Sequence, residues 1–364
     1  MLRKSLRDAR RIVVKAGTRT ILDESQRPDL PVLERLLREM VALRQEGKGV
    51  IFVSSGAIGT GLAPLGLARR PDSIPALQAA AAVGQSLLME TYNRILSSSG
   101  YSVAQLLLTH DDFQDRRRYL NVRGVLAELE AKRVLPVINE NDSVAVDEIR
   151  FGDNDILAGL VANATDAEVT VLLSDVEGFY MNGELMREVS EMTPQVESAA
   201  KGPARLGSGG MASKIRCARI VTAAGGCLLL GHGKKTTLAE VLERKAGTLF
   251  RPAGTRLDHR KRWIAHTLRT SGQITIDPGG ADALVRKGKS LLAVGITACD
   301  GTFGVGDAIL VCGPSGKGIA KGLVNYPSTD LTRIIGRRTE EIPNILGYRS
   351  FDEIIHRDNM VLLT

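Results

Sequence analysis

Aromatic side chains are scarce: Phe, Trp and Tyr together make up 4% of the chain, with a single Trp. That scarcity, with plentiful Ala, Gly, Val and Leu, favours tightly packed α/β layers over an aromatic-rich β-sandwich. Cysteines number four, at Cys217, Cys227, Cys299 and Cys312, with no C-x-x-C pair among them. Each lies among apolar neighbours, so buried free thiols in a reducing compartment are expected. The longest apolar stretch, Pro75 to Met89, is too short to span a bilayer and is broken by Gln78 and Gln85. The basic N-terminus leads into an apolar run of three residues, which does not read as a signal peptide; the cytoplasm is the expected compartment. The five histidines show neither metal spacing nor a Ser/His/Asp order, and no Walker A sequence occurs. Excess charge of one sign is also missing from any long stretch. The formal charge is +7, yet residues 265–364 carry 11 Lys/Arg against 10 Asp/Glu. A dedicated nucleic-acid-binding domain would concentrate its charge more strongly.

What remains is an ordinary globular composition, 43% hydrophobic and 24% charged. It excludes a disordered or fibrous chain. A length of 364 residues suggests two domains. Up to about residue 255, short β-branched runs alternate with helical spacing. Strands are expected at 12–14, 50–53, 103–108, 134–138, 169–173 and 227–230. Helices are expected over 31–46, with Leu33, Leu36, Leu37, Met40 and Val41 on one stripe, and over 215–224. Such alternation implies βαβ units, hence a three-layer α/β/α sandwich on a mainly parallel sheet. Almost every strand ends in a small or polar cluster. In a parallel sheet those ends share one edge, where ligands bind. Lys15, Ser55, Gly56, Asn139, Asp142 and Asp175 are therefore expected to converge. Residues 255–263 are polar and basic, as in a linker. The remainder shows short alternating segments at 273–276, 290–294, 308–312, 317–323 and 360–363, punctuated by glycine. They predict a small, mostly β, barrel-like domain.

Three segments suggest chemistry. Gly207-Ser208-Gly209-Gly210-Met211-Ala212-Ser213-Lys214 begins as G-x-G-x-x-A, but it does not follow the first strand, so the dinucleotide fingerprint does not apply. A glycine loop before a helix offers N–H groups and a positive dipole end to phosphate, with Lys214 in the first turn; it can equally be a flexible connector. The knot Gly152-Asp153-Asn154-Asp155, joined by Asn139-Glu140-Asn141-Asp142, holds more oxygen-bearing side chains than a helix cap needs. It can hold Mg²⁺, an ammonium group or active-site lysines. Lys15, directly after the first strand, is not required for packing and is either functional or simply exposed.

Val14-Lys15-Ala16-Gly17-Thr18, Val53-Ser54-Ser55-Gly56-Ala57-Ile58, Asn139 to Asp142, Gly152 to Asp155, Leu173-Ser174-Asp175 and Gly209 to Lys214 resemble, in order and spacing, the motifs of the amino acid kinase family. Within it, they are most similar to the branch that phosphorylates the γ-carboxylate of L-glutamate, the first step of proline synthesis. The downstream part looks like the PUA domain that bacterial members carry. The resemblance implies a kinase domain over 1–255, a basic linker over 256–270 and a PUA-like domain over 271–364. It implies ATP with Mg²⁺, feedback inhibition by proline and a homo-oligomer. By position, Lys15 and Lys214 resemble the lysines that neutralise the transferred phosphoryl group, and Asp155 the residue that orients them. Ser55, Gly56, Asn139, Asp142 and Asn154 resemble acceptor contacts. Lys15, Ser174, Asp175 and the run Ser208, Gly209, Gly210, Met211, Ala212, Ser213 and Lys214 resemble the nucleotide site. Arg19 departs from the family, which has a small hydroxyl residue there, and the stretch 180–206 is short and lacks an Asp-Pro pair.

The chemistry agrees with that resemblance. A carboxylate of pKa about 4.3 is ionised at neutral pH and needs no general base. Two anions must instead be brought together by positioning and cationic stabilisation. Members acting on acetylglutamate, carbamate, aspartate or a nucleoside monophosphate stay open as alternatives. So does RNA binding through the PUA-like part.

Overall fold

The structure, a computed structural model, describes residues 6–114, 116–144, 154–200, 210–252, 264, 270–349 and 351–363. The chain divides into two compact units, the first ending at Ala253 and the second starting at Gly254.

The first unit is wound around β1 (Arg11–Ala16). Ile12, Val13 and Val14 are all fully buried because helices cover both faces of the strand, so its sequence is continuously apolar rather than alternating. In chain order there follow α1 (Thr18–Ile21), α2 (Leu30–Gln45), β2 (Gly49–Val53), α3 (Ala57–Leu62), α4 (Ile74–Ser97), β3 (Ser102–Leu108), α5 (Arg116–Glu130), β4 (Val134–Glu140), α6 (Asn154–Ala164) and β5 (Val169–Ser174). A hairpin of β6 (Phe179–Met181) and β7 (Glu184–Met186), then β8 (Glu188–Val189), α7 (Met211–Ala223), β9 (Cys227–His232) and β10 (Thr248–Phe250) complete it. The sheet order is β3-β4-β2-β1-β5-β9-β10-β8. Every pairing from β3 to β9 is parallel, and β10 runs antiparallel to β9. Each of the six expected strands lies within an observed one. The two- and three-residue strands β6, β7, β8 and β10 are too short to carry a readable pattern.

Alternation along the strands divides the core. Ile12, Val14, Phe52, Val137, Val171 and Leu173 pack against α2, α3 and α4, including Leu33, Leu37 and Met40 of the predicted stripe. Val13, Ile51, Val53, Ile138 and Leu172 face the other way, onto Leu157 and Val161 of α6 and Ile215 and Val221 of α7. Lys15 shares the parity of Val13, so its side chain is directed into the α6–α7 layer.

Helices α3 and α4 touch backbone to backbone. A Cβ on Gly84 would lie 1.9 Å from the Ala57 carbonyl oxygen, and one on Gly61 would lie 1.9 Å from that of Ala80. Main chain cannot swing aside as a side-chain tip can. Gly84→Ala should therefore cost about 3 kcal/mol, at the upper end of ordinary overpacking. Thermal unfolding checks this; an unchanged melting temperature would mean the helices separate freely.

The second unit holds a five-stranded sheet in the order β12-β11-β13-β14-β15: β11 (Gly272–Ile276), β12 (Ile296–Gly301), β13 (Ala308–Cys312), β14 (Gly318–Leu323) and β15 (Met360–Leu362). Ile274, Ile276, Ile309, Val311, Tyr326 and Ile355 form its core. The strand expected at 290–294 is not formed. Leu291 makes only an isolated bridge to Ile355, and Ala293–Gly295 is a 3-10 turn. Leu291 and Ala293 plug the core singly while Leu292 and Val294 stay exposed, which imitates strand alternation without a ladder. Cys217 and Cys312 are buried as expected, but Cys227 and Cys299 are only half-buried; all four are free thiols. Among the described residues, no helix is long and apolar enough to cross a membrane.

Candidate active site

At the carboxyl edge of the parallel strands, Asp155 is 1% exposed and holds two lysines. Its position in the first turn of α6 points the carboxylate back toward β1. Lys15 Nζ donates to Asp155 Oδ1 at 2.6 Å. Lys214 Nζ, from the first turn of α7, donates to Asp155 Oδ2 at 3.1 Å. Ser213 Oγ donates to the same oxygen at 2.7 Å. Both lysines are themselves buried. Burial by itself would raise the Asp155 carboxyl. Lys15 and then Lys214 overcome that and hold it far below the ordinary carboxylate range. Among the described residues the cluster thus carries two cations and one anion, with the N-terminal ends of two helices directed at it. A net positive, largely dehydrated site of this kind favours an added anion.

Beside it lies a neutral cluster. Asn154, the residue before Asp155, donates through Nδ2 to Ser55 Oγ at 3.2 Å and to Asn139 Oδ1 at 3.0 Å. Asn139 is the penultimate residue of β4, and Ser55 follows β2. Gly56, next in the chain, has φ of +89°, which only glycine adopts readily, and it opens α3 directly after Ser55. Asp142 sits half-buried in the turn leaving β4. Gln85, from α4, accepts from Asn139 Nδ2 at 2.8 Å. Sequence reading registered Gln85 only as a break in an apolar run. Its spacing from the buried Leu77, Ala81 and Leu88 places an amide on the buried stripe, which was the available signal.

A third group closes β5. Ser174 Oγ donates to Asp175 Oδ1 at 2.9 Å, and the Arg19 guanidinium pairs with the other carboxylate oxygen. Burial would raise Asp175, but the bond from Arg19, aided by Ser174, lowers it. The first residues of α1, α6 and α7 thus face one edge with the ends of β1, β2, β4 and β5. Gly210, Met211, Ala212, Ser213 and Lys214 form the start of α7. Ser208, Gly209, Gly152 and Asp153 lie outside the described residues, as does the linker segment 256–263.

His232 ends β9 and accepts from the backbone of Lys234 at 3.1 Å and Lys235 at 3.3 Å through Nδ1. Burial and the nearby Lys235 push its imidazole down, so it stays neutral near pH 7. Among the described residues, no three His, Cys, Asp or Glu side chains form a metal-holding group.

The profile of the amino acid kinase family matches residues 10–230, which takes in all three clusters. The chain belongs to the amino acid kinase family. The PUA domain profile matches residues 272–346, within the second unit. Similar curated members of this amino acid kinase group include the glutamate 5-kinase of Moorella thermoacetica, 44% identical over 99% of this chain and 98% of that one. The glutamate 5-kinase of Trichlorobacter lovleyi is 44% identical over the full length of both. Among solved structures, the carbamate kinase from Giardia lamblia bound to AMP-PNP covers 68% of this chain and 99% of that one, at 16% identity and a TM-score of 0.49. As a member of a kinase family, the chain is a phosphotransferase with an α/β catalytic unit and a PUA unit.

Proposed function

We propose that this chain transfers the γ-phosphoryl group of ATP to the γ-carboxylate of L-glutamate, giving L-glutamyl 5-phosphate and ADP, the first step of proline synthesis. The observation that carries the reading is the buried Lys15–Asp155–Lys214 triad at the sheet's carboxyl edge. Full-length similarity to glutamate 5-kinases supports the choice of acceptor.

A carboxylate oxygen attacks the γ-phosphorus in line, and the bond to the β-bridging oxygen breaks. No proton is transferred, because the acceptor is already ionised. The protein's task is to bring two anions together and to neutralise the charge that spreads over the equatorial oxygens. Lys15 and Lys214 supply that charge. Asp155, with Ser213, keeps the two ammonium groups a fixed distance apart. Ser55, Gly56, Asn139, Asp142 and Asn154 receive glutamate; Asp142 is the anion suited to its α-ammonium group. Ser174, Asp175 and the segment Ser208 to Lys214 receive the nucleotide.

Mg²⁺ enters with ATP as part of the substrate. Among the described residues, Lys15, Lys214 and Ser213 already donate to both Asp155 oxygens, which leaves it poorly suited to cage a cation, and magnesium is usually held largely by phosphates and water. Proline as feedback inhibitor, a homo-oligomeric state and a connecting role for 256–270 belong to the same reading.

ADP release measured across acceptors tests it. L-Glutamate should support turnover at least about 10²-fold better than acetylglutamate, carbamate, aspartate or UMP, since a site of fixed donors rejects acceptors that leave them unmatched. Preference for another member of that set would replace the reading.

A further inference from the structure

The roles assigned above leave a buried polar side chain of α4 unused. Gln85 is 7% exposed. It accepts from Asn139 Nδ2 at 2.8 Å and donates through Nε2 to Gln105 Oε1 at 3.1 Å. The direction of this amide chain is fixed by a group that cannot flip. The Glu140 backbone N–H can only donate, and it meets Asn139 Oδ1 at 2.9 Å, so that atom is the carbonyl oxygen. Asn139 Nδ2 therefore faces Gln85, and the Gln85 atom that meets it must be an oxygen. Asn139 Oδ1 also accepts from Asn154 Nδ2, whose second proton goes to Ser55 Oγ. Donation thus runs one way, from Asn154 through Asn139 and Gln85 to Gln105. Ser55 Oγ is an acceptor within this network, and none of these bonds uses its own proton.

We infer that Gln85 is a positioning residue for the acceptor subsite: by accepting the amide proton that the Glu140-oriented Asn139 turns toward it, Gln85 holds in place the Asn139–Asn154 pair that donates to Ser55 and so leaves the Ser55 hydroxyl proton for the substrate. The inference rests on the acceptor role assigned to Ser55, Asn139 and Asn154. A donor presented there suits a carboxylate and disfavours an ammonium group in the same place. The Glu140 backbone N–H also meets Asn154 Oδ1 at 3.3 Å, so the Asn154 carbonyl faces away from Ser55 and does not take that proton. The close contact of α3 with α4 at Gly84 holds the whole arrangement, because it fixes Gln85 relative to the turn that carries Ser55.

Steady-state kinetics on the full chain test this. Gln85→Met removes the acceptor at similar size and should raise KM for L-glutamate about tenfold, the order expected for one buried partner lost. KM for ATP should stay within about twofold. Gln85→Glu keeps an oxygen facing Asn139 and should restore the glutamate KM to within about threefold of wild type. In a Ser55→Ala background, Gln85→Met should change the glutamate KM less than about twofold, because the hydroxyl it helps to place is gone. A full tenfold effect in that background, equal rises in both KM values, or no rise at all would overturn the inference. Should Gln85→Met fail to fold, Gln105→Met on the exposed edge strand β3 is read instead. It should raise the glutamate KM about threefold, and an unchanged value overturns the inference. A wild-type protein that does not phosphorylate glutamate refutes the proposed function itself, before any variant is compared.

Discussion

Replacing Asp155 by asparagine should destabilise the first unit by about 3–5 kcal/mol and abolish turnover. The carboxylate is the counter-charge of two buried ammonium groups, at 2.6 Å and 3.1 Å. Without it, Lys15 and Lys214 face each other in a dehydrated site with their shared counter-charge gone. For a unit of this size, that loss lowers the melting temperature by about 6–20 °C. The sign with pH follows from the depressed carboxyl. A group whose folded pKa lies below its unfolded value stabilises at every pH above the unfolded value, and the gain is lost only as pH falls through the folded one. The gap between wild type and Asp155→Asn should therefore stay constant from about pH 5 to 8. Calorimetry across that range is the check. A melting temperature within a degree or two of wild type would show that the two lysines do not depend on Asp155.

Lys214→Ala should act oppositely: little effect on folding and a large one on rate. Its removal leaves Asp155 with Lys15 at 2.6 Å and Ser213 at 2.7 Å, so the buried charge stays compensated. Its ammonium group belongs to the first turn of α7, where the helix dipole alone would repel it. Asp155 at 3.1 Å holds it there, and the proposed reaction brings a second anion to it. If that anion is the transferring phosphoryl group, kcat should fall about 10²–10³-fold while KM for glutamate changes far less. Near-normal turnover would remove Lys214 from the chemistry.

The fold and the charged site were legible because both depend on short-range pattern. Apolar runs broken by small polar clusters mark strand ends, and a parallel sheet places those ends on one edge. Strand alternation further fixes which layer Lys15 enters once its parity with Val13 is known. The polar network around Gln85 was much less legible. It forms only because glycines at 61 and 84 let two helices touch, and nothing local to Gln85 announces which strand its amide will meet. The segment 290–294 misled for the opposite reason, since alternation of Leu291 and Ala293 with exposed neighbours satisfies a strand pattern without any partner strand.

The most direct measurement traps the product. An acyl phosphate reacts with hydroxylamine, so the chain is incubated with ATP, Mg²⁺, hydroxylamine and L-glutamate, with and without proline. Glutamyl hydroxamate should form only when both ATP and L-glutamate are present, fall when proline is added, and nearly vanish in Lys214→Ala. ADP released without hydroxamate, or hydroxamate formed equally well by Lys214→Ala, would contradict an acyl phosphate made between these two lysines.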